Sequence, residues 1–244
     1  MVSNVFGEFF GMMIFIAFGC GVVANVLLKD SKGNGSGCIV IYTGWAMAIL
    51  MGVTVGLAAG NSADLNPAVT LFKMLMGAYT PGLALGLMAA QTLGGAAGAL
   101  LVWLIYLPHW SITEDKGLKL GVFSTGPAVR NYTANFICEC LASTILFVCL
   151  LSFGSKFVSG TNGFASGFGN YMVGMAVWAV GLSFGGPTGY ALNPARDLGP
   201  RIAHAILPIA GKGSSDWAYS WVPVAGPMAG GVIAFVLCRA IGII

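Results

Sequence analysis

The sequence predicts an all-α membrane protein with six transmembrane helices and two re-entrant half-helices in an inverted repeat. Three observations predict it: a chain nearly empty of charge, six apolar stretches of crossing length, and two shorter ones that open on the same tripeptide. Only 8% of the 244 residues are charged and 57% are hydrophobic, with a mean hydropathy of +0.86; a soluble domain carries roughly 25% charged residues. That rules out a soluble enzyme, a disordered chain and a nucleic-acid binder, and the net charge of +3 says nothing about partners.

A helix crossing about 30 Å of hydrocarbon needs about 20 residues with few charges, so gaps between charges locate the spans. Twenty uncharged residues separate Glu8 from Lys29, 31 separate Lys32 from Asp64, 40 separate Lys73 from Glu114, and 22 separate Asp216 from Arg239. These hold the first, second, third and sixth spans. The fourth runs from Tyr132 to Phe153 with Glu139 inside it. The fifth runs from Asn170 to Phe184, within the 39-residue gap between Lys156 and Arg196. Two stretches remain, Asn66 to Ala78 and Asn193 to Ile209, too apolar for surface loops and too short to cross. Each opens Asn-Pro-Ala, as Asn66-Pro67-Ala68 and Asn193-Pro194-Ala195. Asparagine is a favoured N-cap, and proline at the first helical position gives up no needed hydrogen bond, so each reads as a short helix starting at its asparagine.

The chain also repeats. Glu8 opens the first span as Glu139 opens the fourth, Leu65-Asn66-Pro67-Ala68 returns as Leu192-Asn193-Pro194-Ala195, and Gly94-x-x-x-Gly98 returns as Gly226-x-x-x-Gly230, at offsets of 131, 127 and 132. The chain therefore reads as one domain, 1–244, built of repeats at about 1–110 and 131–244. Three spans per half is an odd number, so the second half sits upside down relative to the first. The two short helices then enter from opposite faces and aim their N-termini at each other near the midplane.

Non-helical backbone at membrane depth is tolerated where it is buried in protein or lines a watery cavity, and a pore is the natural reason for it here. Ser62, Ala63, Asp64 and Leu65 before the first asparagine, and Gly189, Tyr190, Ala191 and Leu192 before the second, would offer a line of carbonyl acceptors. Asn66 and Asn193 would add amide donors, making a track for water or a polyol. The facing helix N-termini disfavour cations and protons at the centre. Arg196 adds a permanent cation with a fork of donors.

With these residues in place the sequence resembles the major intrinsic protein family, in its glycerol-facilitator (aquaglyceroporin) branch. The resemblance covers essentially the whole chain and rests on Leu65 to Thr70, Gly185 to Asp197, and the two intramembrane glutamates. It implies an aquaporin-like fold, a homotetramer with one pore per subunit, and a multi-pass protein of the cell membrane. It also implies a narrow ring of Trp45, Gly181, Tyr190 and Arg196. Water-selective members carry histidine where Gly181 stands, so glycine opens the ring. Trp45 and Tyr190 would form an aromatic corner for a carbon skeleton, with Arg196 and neighbouring carbonyls binding its hydroxyls. Asp197 is likewise typical of the glycerol branch. This sequence departs from the pattern at Asp64, where many relatives have histidine, and at Tyr190, where phenylalanine is common. The Asp64 carboxylate would be either ionised and salt-linked or protonated.

Glu8 and Glu139 are read as supports that accept backbone N–H groups from the re-entrant loops, in preference to a proton relay. Asp197 is grouped with them. The paired glycine motifs read as close helix packing, the six cysteines as reduced packing residues, and His109 and His204 as loop or cap residues with no metal site and no cofactor. The stretch Met1 to Phe10 lacks the basic start and cleavage site of a leader. With the N-terminus inside, as the resemblance implies, only Lys73, Lys156 and Arg239 of the 11 basic residues lie inside, so the positive-inside count favours the reverse. The expected activity is passive conduction of glycerol and other small uncharged solutes, with water alongside. The alternatives are a channel mainly for water or for neutral lactic acid, and a proton-coupled transporter in which Glu8, Asp64 or Glu139 titrates. An intramembrane enzyme is the most distant, because no catalytic motif lies beside the pore.

Overall fold

The computed structural model describes residues 3–60, 62–160 and 162–244; the first two residues of the stretch read against a leader lie outside these. The described residues form eleven helices and no strand: α1 (Asn4–Leu27), α2 (Cys38–Gly60), α3 (Pro67–Leu75), α4 (Pro81–Ile105), α5 (Leu107–Ile112), α6 (Lys116–Phe123), α7 (Tyr132–Phe153), α8 (Lys156–Ser159), α9 (Phe168–Thr188), α10 (Pro194–Ile206) and α11 (Val222–Ala240). Six are of crossing length, and α3 and α10 are the half-helices. Five of the six, α1, α2, α4, α7 and α11, are also apolar enough to cross. The sixth, α9, is diluted by its glycines, Asn170 and Ser183.

Polar groups mark where helices start. Ser3, Thr80 and Asn131 cap α1, α4 and α7 with side-chain oxygens on Phe6 N, Leu83 N and Ala134 N at 3.3, 3.3 and 3.1 Å. Helix α9 is longer than expected at both ends. It continues through Gly185-Gly186-Pro187 and stops at Gly189, whose φ of 80° is the left-handed conformation that closes helices. The short helices α5, α6 and α8 were not expected, being too brief to show a period. Helix α6 did carry a signal: Asp115 accepts from Gly117 N and Leu118 N at 2.7 and 3.1 Å.

Helix α1 packs on α2 and α4, and α7 packs on α9 and α11, so each long-helix trio has the same neighbours. Both α3 and α10 lie between α4 and α11, α2 meets α9, and the centre is closed from both halves. Glycine allows this approach. A Cβ on Gly94 or Gly98 would run into Phe9 O or Met13 O of α1, and a Cβ on Gly226 or Gly230 would lie 2.6 Å from Glu139 Cβ or Cys140 O of α7. The adjacent Gly95 and Gly231 face the other way. A Cβ there would stand 2.9 Å from Ala195 O and 3.1 Å from Ala68 O, so α4 and α11 each touch the tripeptide of the opposite half. All six cysteines are free; Cys38 is exposed at the start of α2 and so does not pack.

The excess of basic residues beyond the far ends of α1 and α4 has a structural use. Lys212 Nζ donates to the His204, Ala205 and Leu207 carbonyls at 2.7, 2.8 and 2.6 Å, and buried Lys119 donates to Ala210 O. The His204 and Ala205 carbonyls are ones that α10 leaves without intrahelical partners as it ends, and the Leu207 and Ala210 carbonyls belong to the turn after it.

Candidate functional site

Asn66 and Asn193 cap α3 and α10 in nearly the same backbone conformation, at φ −157°, ψ 116° and φ −151°, ψ 109°. Each side-chain oxygen accepts an amide of its own helix: Ala68 N at 3.0 Å for Asn66, and Ala195 N and Arg196 N at 3.0 and 3.2 Å for Asn193. Each side-chain nitrogen crosses to the other loop. Asn66 Nδ2 donates to Leu192 O at 2.9 Å, and Asn193 Nδ2 donates to Leu65 O at 2.6 Å. A carboxamide has two N–H donors, so each asparagine keeps one after the exchange.

The leucines that receive these bonds have positive φ, 49° at Leu65 and 55° at Leu192, and Tyr190 has 40°. For residues with a Cβ that conformation costs on the order of 1–3 kcal/mol each, and it persists because the surroundings hold it. Two buried carboxylates do the holding. Glu8 Oε1 accepts Ser62 Oγ and Asp64 N at 2.6 and 2.7 Å, and its Oε2 accepts Leu65 N and Gln91 Nε2 at 2.7 and 2.8 Å. Glu139 accepts Ala191 N and Leu192 N at 2.9 and 3.1 Å. With their N–H groups turned to the glutamates, the loops leave carbonyls on the other side. Among the described residues, the carbonyls of Ser62, Ala63, Asp64, Gly189, Tyr190 and Ala191 accept no hydrogen bond, and those of Leu65 and Leu192 take the opposite asparagine.

A cavity of about 550 Å³ runs beside these loops. Its lining combines apolar residues, among them Ile49, Val53, Val69, Phe72, Val173 and Val177, with Asp64, Asn66, Asn193 and Arg196 and the loop residues Ala63 and Ala191. Trp45, Tyr190 and Arg196 stand together on its wall. The Arg196 guanidinium carbon lies 3.9 Å from the centroid of the Trp45 ring, a cation–π contact, and no carboxylate pairs with it among the described residues. Tyr190 meets Tyr42 edge-on, with centroids 5.3 Å apart. Gly181 lies against Tyr190: a Cβ there would be 3.1 Å from the tyrosine ring. The absent side chain is the room that the Tyr190 ring occupies.

The partners of Asp64 and Asp197 are residues the sequence does not single out. Asp64 is salt-linked to Lys73, and its carboxylate also accepts Thr70 Oγ1 at 2.9 Å and Tyr79 O–H at 3.3 Å. Burial, then the neighbouring Asp64 charge, pushes the Tyr79 phenol above its usual range, which keeps it a donor. Asp197 accepts the N–H and hydroxyl of Thr125, both at 2.7 Å, and the Arg201 guanidinium at 2.7 Å. Arg201 goes on to Thr125 O and Ser215 O at 2.9 and 2.7 Å. The Asp197 to Arg201 spacing of four on a helix was a readable signal; Thr125, Gln91 and Lys73 carried none. His204 Nδ1 and His109 Nδ1 bond to Ser215 Oγ and Lys29 O at 2.8 and 2.9 Å, and no metal-ligand cluster occurs among the described residues.

The sequence profile described as Major intrinsic protein matches residues 1–237. The probable glycerol uptake facilitator protein of Thermotoga maritima is 51% identical over 95% of this chain and 96% of its own. Glycerol uptake facilitator protein 3 of Lactiplantibacillus plantarum is 49% identical over 97% and 96%. The X-ray structure of the aquaglyceroporin from Plasmodium falciparum superposes with a TM-score of 0.84 at 26% identity, covering 99% of this chain and 98% of that one. Six long helices, two asparagine-capped half-helices and a match along nearly the whole chain lead to one assignment: this chain is an integral membrane protein that belongs to the major intrinsic protein family.

Proposed function

We propose that the protein is a passive channel for glycerol and other small uncharged solutes, water among them, in a bacterial plasma membrane. The mixed lining of the cavity carries this reading. A polyol has a carbon edge and a hydroxyl edge, and the wall offers apolar side chains together with free loop carbonyls, asparagine amides and Arg196. We read Trp45, Tyr190 and Arg196 as the narrow part of the route, with Gly181 setting how far the Tyr190 ring stands back. Asn66-Pro67-Ala68 and Asn193-Pro194-Ala195 form its centre, and Glu8, Glu139 and Asp197 support it. The halves 1–110 and 131–244 act as inverted repeats, and the subunits associate as a homotetramer with a pore in each. The names of the facilitators support glycerol as the first solute. The hydrogen bonds that occupy both oxygens of Glu8 and of Glu139 with loop amides favour support over proton relay.

Swelling of proteoliposomes tests this. Glycerol flux is expected to rise linearly with its gradient and to ignore a protonophore; accumulation of solute against its gradient, driven by a pH difference, would replace the channel with a transporter. Gly181→His is expected to push Tyr190 into the route, so that glycerol flux collapses while water flux persists. Equal loss of both in a folded variant removes Gly181 from the narrow part.

A further inference from the structure

Asp64 and Lys73 stand on the cavity wall at the mouth where α7 ends and α9 begins, beside Met76, Phe153 and Gly169. Their ion pair is lopsided: the Asp64 side chain is fully covered, and the Lys73 side chain is 39% exposed. The Asp64 oxygens are occupied by Lys73, Tyr79 and Thr70. An ammonium has three N–H donors, and among the described residues Lys73 uses one, on Asp64, which leaves two for the mouth. Glu8, the nearby carboxylate, is turned to the loop amides, Ser62 and Gln91. The mouth thus presents a donor whose charge is cancelled by Asp64, whereas Arg196 along the cavity has no such partner among the described residues.

We propose that Asp64 and Lys73 form a specificity-determining pair: Lys73 donates to an oxygen of a neutral solute at this mouth, and Asp64 cancels the charge that would otherwise hold small anions there. This rests on the channel reading above. An unbalanced cation in a narrow, partly desolvated mouth changes the local anion concentration by on the order of tenfold. An anion held there, unable to pass the apolar face beyond, plugs the route to glycerol.

The test is glycerol flux in proteoliposomes at low salt, with sodium malonate or tetramethylammonium chloride on both sides, each expressed as a ratio to the same vesicles without it. The ratio is independent of how much protein is active. For the wild type it is expected near one with either ion. Asp64→Asn leaves Lys73 unbalanced, so malonate is expected to slow flux about tenfold, salt to relieve the block, and tetramethylammonium to do nothing. Lys73→Met reverses the sign, so the cation slows flux and malonate does not; it decides the matter if the first variant does not reconstitute. The double variant Asp64→Asn/Lys73→Met lowers basal glycerol flux by losing the donor, and its ratio returns to one. Malonate block of the wild type, or an Asp64→Asn variant indifferent to malonate, overturns the pair while leaving the channel reading standing. Wild-type vesicles that pass neither glycerol nor water overturn both.

Discussion

Asn66 and Asn193 cap their half-helices with dihedral angles that differ by only a few degrees, yet the loops leading into them are held by different chemistry. On the first loop Glu8 receives four hydrogen bonds, two from backbone amides and two from Ser62 and Gln91. On the second, Glu139 receives two backbone amides with the Thr188 side chain beside it, while on α10 buried Asp197 and Arg201 tie in Thr125 and Ser215. The lesson is that the central geometry is the constrained quantity and its scaffolding is not. Both halves anchor their loop on a buried glutamate, but the first adds an ion pair between loop and half-helix, Asp64 with Lys73, and the second places its ion pair, Asp197 with Arg201, within the half-helix itself.

The sharpest way to break the comparison is to remove each glutamate. Glu8→Leu orphans four donors and Glu139→Leu two, at about 1–3 kcal/mol for each buried group. Glu8→Leu is therefore expected to abolish assembly and Glu139→Leu to lower it, as read by the yield of protein that survives detergent extraction. Equal losses would mean that the side-chain donors on Glu8 add nothing. Next comes Arg201→Leu, which leaves Asp197 as an unpaired buried charge and should cost about 3–5 kcal/mol in thermal or denaturant stability. Adding Asp197→Asn should recover part of that loss; strict additivity would show the two side chains to be uncoupled. Glu139→Gln keeps one acceptor oxygen for the loop, and a milder loss of about 1–2 kcal/mol is expected, with glycerol flux retained. A folded Glu139→Gln protein with no flux would revive the proton relay. The smallest effect belongs to Arg130, which pairs with Asp216 at 2.6 Å while 46% exposed. Arg130→Gln should cost less than about 1 kcal/mol and vanish in high salt.

The crossings were legible because a bilayer imposes a length on them, and α7 coincides with its expected range, Tyr132 to Phe153. The half-helices were legible because Asn-Pro-Ala states both a cap and a first turn. Support for the loops was half legible: an acid inside a span announces itself, whereas Gln91, Thr125 and Lys73 look like ordinary helix or loop residues until the chain is folded. Gly181 shows another limit. Its contact with Tyr190 depends on how α9 and the loop after it meet, which no spacing encodes.

The exchange of amide donors between Asn66 and Asn193 has a consequence in time as well as in space. Leu65 O waits for a proton carried 128 positions later in the chain, and Asn66 donates to a carbonyl 126 positions on. While the ribosome is still making α7, the first loop has its glutamate and its cap but nothing to latch to, and its polar backbone must stay wet. The centre of the protein is thus a late event of synthesis. The second re-entrant loop finishes both, in a step whose slowing by a mutated asparagine would be seen as prolonged protease sensitivity of the first half.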